Sequence, residues 1–317
     1  MLSMCKTKVL VFSILVIPHI LNAGCVDSTQ VSATDLNSLR FNPAIDSIST
    51  SPSEYPICSF TPAPEVNGAR LGIIGGALLT TTLVINYYEQ NAWWLGERAP
   101  FHFQNDWKYA LNVDKVGHIY ATTAAQHIFQ KSLEWSGVPE SKSVWYGAGL
   151  ALLFELYIET QDGFHKEWGF SPGDAMGDAV GAFYPVLQHY IPPLKNVKFK
   201  WSYWPSEELR EGKKQMIIDD YQGQTYWLSI SFYDWLPKSM QSWWPSFLGI
   251  AGGYAARNLD GMGGGEKQFY IALDYDLTKL PGDSWIFKTL KESGNFFHLP
   301  APALRITPTA TFFVLYF

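Results

Sequence analysis

Charged side chains are scarce in this chain of 317 residues. They make up 16% of it, against about 25% in a typical soluble domain. The 23 Lys and Arg residues, outnumbered by 29 Asp and Glu, form no basic cluster with interleaved aromatic residues. Surfaces that bind nucleic acid usually carry a basic stripe. Its absence, together with the net charge of −6, argues against nucleic acid as a partner.

Motifs of some common chemistries are missing too. The chain has no His-Glu-x-x-His pair, no Walker loop and no Cys-x-x-Cys pair. The glycine-rich run 261–265 is followed by neither a helix pattern nor a Lys-Ser/Thr pair. It therefore predicts a hairpin loop and not a phosphate site. We do not expect nucleotide chemistry.

The N-terminus has the pattern of an export signal. Lys6 and Lys8 precede the apolar run Val9–Leu21, and small or tolerated residues up to Ala23 allow cleavage. The apolar run is too short for a comfortable membrane span. We predict a signal peptide at residues 1–23.

Removal of that signal takes away Cys5 and leaves Cys25 and Cys58 as the cysteines of the mature chain. If Cys25 is acylated as a lipoprotein anchor, it cannot form a disulfide. If it is not acylated, export to an oxidising compartment favours a Cys25–Cys58 disulfide. In the chain-entropy model such a disulfide contributes roughly 3–4 kcal/mol. Both alternatives stay open.

Composition divides the rest of the chain into three segments. Residues 24–70, rich in Ser, Thr, Pro and Asn, predict a disordered tether. Residues 71–193 predict an apolar, membrane-associated helical bundle, in which the charge-free run Leu71–Tyr88 is either a minimal membrane span or a buried core helix. Residues 194–317 alternate as strands do and predict a small antiparallel β region with five or six strands. The predicted fold class is α+β.

Six ionisable residues of the predicted bundle lie in pairs one helical turn apart. Residues at i and i+4 share a helix face, so each pair points its polar atoms in one direction. Their surroundings are apolar, and buried carboxylates there need a cation, a metal ion or a proton. The pairs are Asp114/His118, Glu155/Glu159 and Asp174/Asp178.

These residue types suggest a candidate site. Glu155, Glu159 and Asp174 are candidates for acid/base catalysis. His118, Glu159 and Asp174 are candidate ligands of a divalent metal ion, and the sequence names no cofactor beyond that candidate. The wider binding site or charge network would contain Asp114, Lys115, His118, Asp162, His165 and Asp178.

Structural interpretations compete with these. Asp114 and Asp174 could be helix N-caps, because Asp is among the preferred capping residues. Lys115 could neutralise a carboxylate without any metal ion. The acids would then form a charge-compensated network that fixes the register of the helices.

The order of these residues resembles a known family. The shared motifs are Asp114-Lys-x-x-His118, Glu159-x-x-Asp162-Gly-Phe164, Gly169-Phe-Ser171, Asp174 and Gly181. Over about Trp93 to Gln188 they resemble the YfiM-like predicted periplasmic lipoproteins, the domain of unknown function 2279. A fainter similarity leads to VanZ-like membrane proteins. In both patterns the residue four positions after the aspartate that matches Asp174 is usually Asn, whereas this chain has Asp178 there. That family has no assigned biochemical role, so the resemblance implies a location and a fold.

We therefore expect an exported cell-envelope protein of a Gram-negative bacterium, periplasmic and associated with the outer membrane. The leading hypothesis is a structural or interaction protein whose buried charge network is architectural. One alternative is a metal-binding protein or hydrolase that uses the carboxylate/His cluster. Another is a lipid or glycolipid binder with the aromatic β region as its apolar wall. The expected partners are the membrane and an envelope lipid or protein.

Washing membranes with alkaline carbonate tests the membrane association. If Leu71–Tyr88 spans a bilayer, we expect the protein to stay in the pellet, because inserted helices resist this wash and peripheral proteins do not. A Cys25→Ser variant removes the alternative acyl anchor, so its retention would assign the anchoring to Leu71–Tyr88. Release of that variant into the supernatant would contradict a membrane span.

Overall fold

Helices are followed by a sheet in the described part of the chain. The computed structural model describes residues 65–90, 94, 96–214, 216–261, 263–282 and 284–317. The predicted α+β class is confirmed. The predicted signal peptide, Cys25, Cys58 and most of the predicted tether lie outside the described residues.

Four helices of 19 to 23 residues make up the first half of the structure. They are α1 Gly68–Glu89, α2 Val113–Trp135, α3 Glu140–Asp162 and α4 Pro172–Tyr190. Asn67 and Ser171 cap α1 and α4, because each side chain accepts a hydrogen bond from a backbone N–H in the first turn. Gly137 follows α2 with a φ of 91°, the left-handed conformation that commonly ends a helix.

α2, α3 and α4 pack against one another, and glycines let α4 approach α2 closely. A Cβ atom on Gly177 would lie 2.9 Å from the carbonyl oxygen of Lys115, and one on Gly181 would lie closer still to that of Ile119. The small residues at one-turn spacing therefore bring the backbones of the two helices into contact. This contact sets the distance between the side chains that α2 and α4 direct toward each other.

α1 is attached mainly near its ends. The backbone N–H of Asn67 donates to Ser136 O at 2.8 Å, and the guanidinium of Arg70 donates to Trp135 O at 2.7 Å. Farther along, Leu79 and Leu83 are 61% exposed. α1 is the one helix in the described residues long and apolar enough to cross a membrane, and only 6% of its most apolar stretch is buried. The buried core helix considered for this segment does not fit that exposure.

Six antiparallel strands pair in chain order. They are β1 Val197–Tyr203, β2 Gln224–Ile230, β3 Leu248–Arg257, β4 Glu266–Tyr275, β5 Ala301–Arg305 and β6 Thr311–Tyr316. The glycine-rich run 261–265 connects β3 to β4, as predicted. The short helices are α5 Glu207–Arg210, α6 Lys238–Gln241 and α7 Trp285–Gly294, and 3₁₀ turns lie at Tyr109–Asn112, Pro192–Asn196, Tyr221–Gly223, Tyr233–Trp235 and Leu277–Lys279.

The sheet curls around one of its faces. At the outer edge of β1, the N–H of Trp201 donates to Phe296 O at 3.0 Å, and the N–H of His298 donates to Trp201 O at 2.9 Å. The hydroxyls of Tyr316 in β6 and Thr225 in β2 lie 3.3 Å apart, although three strands separate β2 from β6. The inner face is therefore enclosed and contains a small core of Trp227, Ala251, Ala255, Tyr270, Ala272 and Ala303.

The outer face of the sheet is apolar, and the helices cover only part of it. Tyr226 and Ala256 pack with Val113 of α2, so this part of the sheet lies against the helices. Beyond that contact, exposed apolar side chains remain at Leu228, Ile250, Phe269, Ile271, Leu304, Phe312 and Val314. Apolar residues thus face outward while polar residues such as Lys200 and Asp274 are buried inside.

Gly181→Ala should destabilise the fold. The added Cβ would collide with the carbonyl oxygen of Ile119, so α2 and α4 would have to separate, at a cost of about 1–3 kcal/mol in the free energy of unfolding. Gly149→Ala in α3 is the matched control, because nothing lies within 4 Å of its Cβ position. There we expect a gain of roughly 0.5–1 kcal/mol from helix propensity. Denaturant unfolding measures both, and equal effects would contradict the close α2–α4 contact.

Candidate functional site

The predicted ionisable residues meet where the first turns of α2 and α4 approach the last turn of α3. Asp114 and Lys115 lie in the first turn of α2, and Asp174 lies in the first turn of α4. Glu159 lies in the last turn of α3. Helix N-termini carry partial positive charge, which favours carboxylates at these places.

Three left-handed residues precede α2. Ala110, Leu111 and Asn112 have φ values of 44°, 54° and 72°, a region that non-glycine residues rarely adopt. Asn112 holds the N-cap position and makes no side-chain capping bond. The interpretation of Asp114 as a helix cap is therefore wrong, and its carboxylate belongs to the cluster instead.

Lys115 lies at the centre of one half of the cluster. Its ammonium is 2.6 Å from Asp106 Oδ2, 2.9 Å from Asp114 Oδ2 and 2.8 Å from Asp174 Oδ1. The Lys115 side chain is only 7% exposed. A Cβ on Gly173 would lie 3.0 Å from Lys115 Cε, so the missing side chain of Gly173 leaves room for the lysine. One buried cation thus joins α2, α4 and the connection that precedes α2.

Further hydrogen bonds tie this half to the rest of the fold. Tyr221 donates its hydroxyl to Asp114 Oδ1 at 2.8 Å and so connects the β region to the cluster. Ser171 donates its hydroxyl to Asp106 Oδ1 at 2.6 Å and its backbone N–H to Glu159 Oε2 at 3.1 Å. The start of α4 is therefore held against the end of α3.

His118 forms the second half of the cluster. Its Nδ1 lies 2.9 Å from Asp178 Oδ1, which also accepts a hydrogen bond from Thr122 at 2.8 Å. On the other side of the ring, Nε2 lies 3.7 Å from Asp174 Oδ1 and 4.0 Å from Asp114 Oδ1. The ring is 22% exposed, so this half of the cluster is reached by solvent.

Two buried carboxylate oxygens here have no hydrogen-bond partner within the described chain, namely Asp174 Oδ1 and Asp178 Oδ2. Asp174 Oδ1 is close to the Lys115 ammonium as an ion pair but lacks hydrogen-bond geometry. Two sets of three residues offer ligand atoms within 4.8 Å of one another, and they share His118. The sets are Asp114, His118 and Asp174, and His118, Glu159 and Asp178.

The charges in the cluster support one another. Burial lowers the pKa of His118, yet its hydrogen bond to Asp178 and the negative charges around it raise that pKa well above the usual value. Burial raises the pKa of Asp114, but the charges of His118 and Lys115 hold it below its usual value. An ionised Asp114 therefore faces an imidazolium and an ammonium at neutral pH.

Three more carboxyl groups have pKa values that are raised close to neutral pH. Burial is the main cause in each case, and it raises the pKa of Glu155 to about 7, that of Glu159 to about 8 and that of Asp174 to about 7. Neighbouring acids add to the effect, as the charge of Asp178 does for Glu155. Glu155 makes no hydrogen bond to another described residue. The cluster contains more acid than its two basic groups can balance.

Two of the predicted residues lie apart from Lys115 and His118. Asp162 accepts a hydrogen bond from Trp94 Nε1 at 2.6 Å, and burial raises its pKa to about 6. The ring of His165 stacks on Trp94 with centroids 5.7 Å apart. These contacts fix the loop after α3 and supply no ligand to the cluster.

Sequence reasoning missed four members of the cluster: Asp106, Thr122, Ser171 and Tyr221. A local signal existed only for Ser171, in the run Gly169-Phe-Ser-Pro-Gly173, whose letters match the Gly-x-Ser-x-Gly motif of hydrolases. Ser171 is only 3% exposed and caps α4 by accepting from the backbone N–H of Asp174. It is therefore a capping residue and not a nucleophile, and Asp174 is not the cap.

A second buried network inside the sheet was also missed. Asp274 lies 2.7 Å from the ammonium of Lys200 and 2.8 Å from Nδ1 of His298, and Ser229 donates its hydroxyl to it. The ring of His298 stacks on Trp227 with centroids 3.9 Å apart. These ion pairs fill the enclosed face and stabilise the curl of the sheet.

Residues 102–190 match a family of predicted periplasmic lipoproteins, the domain of unknown function 2279. The match contains every member of the cluster except Tyr221. It supports an exported, periplasmic protein and bears out that part of the resemblance seen in the sequence. The similarity to VanZ-like proteins stays a prediction. Comparisons with curated proteins and with solved structures gave no match.

Glu159→Gln should change how stability depends on pH. The pKa of Glu159 is raised from 4.5 to about 8 in the folded state, so between these values the folded protein binds more protons than the unfolded chain. Its contribution makes the free energy of unfolding fall with rising pH, by up to about 1.4 kcal/mol per unit. The neutral amide removes this contribution. Denaturant unfolding at pH 5 to 8, with a chelator present, measures the slope.

The matched control is Glu97→Gln, because Glu97 is a surface carboxylate that is 79% exposed. The same slope in wild type and Glu159→Gln would contradict a proton held by buried Glu159.

Proposed function

We propose that this chain is a cell-envelope protein that binds one divalent metal ion through Asp114, His118 and Asp174. The observation that carries the proposal is the orientation of the His118 ring. Nδ1 is held by Asp178, which leaves Nε2 facing Asp174 and Asp114 at 3.7 and 4.0 Å. Histidines that bind metal ions usually donate their other ring N–H to a carboxylate in this way.

The distances are close to those of a metal site. Donor atoms that bind one tetrahedral ion at 2.0–2.2 Å lie about 3.3 Å apart. Nε2 of His118 and the oxygens of Asp174 and Asp114 need to move only slightly inward to reach this spacing. A metal ion would share Asp174 Oδ1 with the Lys115 ammonium, which lies 2.8 Å from this oxygen.

The charge balance also favours a bound cation. The two basic groups are Lys115 and His118, and the six carboxyl groups are Asp106, Asp114, Glu155, Glu159, Asp174 and Asp178. Burying carboxylates is costly unless a cation or proton compensates them. A divalent ion bound by His118 would displace the Nε2 proton of its imidazolium, and the charge of the ion would favour loss of the protons that Asp174 and Glu159 otherwise retain.

A mixed set of carboxylate oxygens and one imidazole suits Mn²⁺, Fe²⁺ or Zn²⁺ better than Ca²⁺. Because the His118 ring is partly exposed, solvent could fill the remaining coordination positions. A hydrolytic activity would use the same ion to activate that water, so it is to be assayed on the metal-loaded protein.

Lys115 favours a second candidate role, in which the cluster is architectural. Its ammonium joins carboxylates from α2, from α4 and from the connection before α2. This role needs no metal ion. The two roles share Asp114 and Asp174, because these carboxylates lie beside both Lys115 and His118.

The proposed location is the periplasmic side of the outer membrane. The family match supports export to the periplasm. The exposed apolar surface of α1 and a lipid-anchored Cys25 would both hold the chain at a membrane. The membrane is therefore proposed as a partner of α1, and the carbonate wash tests that contact.

Metal content is the deciding measurement. We expect about one equivalent of Mn, Fe or Zn in detergent-purified wild-type protein by elemental analysis, before or after incubation with the metal salt and desalting. His118→Ala should lose the metal and still fold, because it removes the ligand common to both candidate sets. Asp178→Asn should lower the affinity roughly 10- to 100-fold, as the loss of an orienting group does.

The matched control is His189→Ala, since His189 pairs with Glu140 at 3.2 Å outside the cluster. Lys115→Met tests the architectural role, because breaking a buried ion pair costs about 3–5 kcal/mol and should lower the melting temperature of the metal-free protein sharply. If metal-free wild type shows no rise in melting temperature with any of the three ions, and none is retained, the metal proposal fails and the architectural role stands.

A further inference from the structure

We propose that the inner face of the curled sheet binds an anionic amphiphile, a molecule with a phosphate or carboxylate head on an alkyl chain. The head would lie at Arg257 and Arg305, and the chain would lie against aromatic side chains at the mouth. This site is separate from the helical cluster and independent of any metal ion there.

The site is a large cavity at one end of the sheet. Its volume is about 1260 Å³, beyond the roughly 300–1,000 Å³ of ordinary small-molecule pockets. Arg257 at the end of β3 and Arg305 at the end of β5 line it. Both residues lie on the same face of the sheet as the buried Tyr270, which is paired directly with Arg305.

Arg257 is held by neutral groups only. Its guanidinium donates to the carbonyl oxygens of Gln224 at 3.1 Å and Ala256 at 2.9 Å, and to the hydroxyls of Thr225 and Tyr316, each at 3.2 Å. These bonds use four of the five N–H groups and fix the orientation of the planar group, with no carboxylate among the acceptors. The guanidinium therefore attracts an anion by its charge and can donate to it through Nε–H.

The acid nearest in register does not neutralise it. Glu266 is paired directly with Arg257 across β3 and β4, yet its carboxylate accepts a hydrogen bond from the side-chain amide of Gln268. The two form no ion pair within 4.0 Å. Arg257 therefore turns toward the cavity and away from its cross-strand neighbour.

Arg305 repeats this arrangement. Its guanidinium donates to Thr309 O at 3.3 Å and to the hydroxyl of Thr311 at 2.9 Å, and it lies 5.9 Å from the ring centroid of Phe313. Within the described residues, no carboxylate lies within 4.0 Å of either arginine. Two guanidinium groups without an ion-pair partner among the described residues, in one cavity, favour an anionic ligand.

Apolar side chains at the mouth of the cavity indicate that the ligand also has an apolar part. Trp204 is 57% exposed, Leu315 59% and Phe317 44%, and all three line the cavity. The rings of Trp204 and Phe317 lie 5.0 Å apart. A purely ionic ligand would leave these apolar groups in water, whereas an alkyl chain would cover them.

Acidic side chains also line the cavity and limit the charge of the ligand. They are Glu207, Glu208, Glu211, Asp260 and Glu266, and the further basic lining residues are Arg210 and Lys213. The acids would repel long polyanions, so a ligand with a single anionic head close to the arginines fits best.

Calorimetric titration with octyl phosphate tests the proposal on the full chain. The protein is purified in a steroid-type detergent, which has no alkyl chain to occupy the cavity, and the probe is kept below its micelle concentration. We expect saturable binding of octyl phosphate or octanoate, at least about tenfold tighter than that of octanol or inorganic phosphate. Tighter octyl phosphate points to a phospholipid source, and tighter octanoate to a fatty acid.

Arg305→Gln should weaken binding of the preferred probe about tenfold or more, because one charged donor group is lost. Arg257→Gln is the second variant, and circular dichroism checks that each one folds. Lys267→Gln is the matched control, since it removes one positive charge from an exposed position on the opposite face of β4 and should leave binding unchanged. No binding of either anionic probe to folded wild type, equal binding of octanol, or unchanged binding in both arginine variants would overturn the proposal.

Discussion

The helical half of this protein depends on one buried ammonium. Lys115 lies within 2.9 Å of carboxylates from Asp106, Asp114 and Asp174, which come from three separate segments. Removing the cation would leave three acids buried without compensation, which is among the costliest changes a fold can suffer. The sheet shares this dependence, because Tyr221 donates its hydroxyl to Asp114. A single lysine cannot balance all the acids that meet there, and the remainder of the cluster therefore takes up protons or binds a further cation.

The sheet has polar residues on its enclosed face and apolar residues on its outer face, the reverse of the usual arrangement. Lys200 and Asp274 neutralise each other on the enclosed face, while Ile271 and Phe312 are exposed on the outer one. Exposed apolar area of this extent is typical of surfaces that meet a membrane or a partner. α1 presents a similar surface on the helical side. The two halves of the molecule are therefore suited to the same apolar environment.

Local patterns predicted the elements well. Residues 71–193 contain long helices as expected, and residues 194–317 contain six strands, where five or six were expected. Hydrophobic period, glycine and proline act over a few residues, so the sequence carries them directly. The alternation in β1 did not show which of its two faces is buried. Lysines at alternate positions usually mark a solvent-facing side, whereas here Lys200 is 1% exposed and paired with an aspartate 74 positions away.

By itself, the sequence determined which acids share a helix face, as with Asp174 and Asp178, because one-turn spacing is a property of the helix. It also determined the α+β class. Only the tertiary structure decided that Asp106 and Tyr221 join the cluster, that Asp162 does not, and that arginines of β3 and β5 share one cavity. The physical reason is that ion pairs and cavities depend on distances between segments far apart in the chain, and no local pattern encodes those distances.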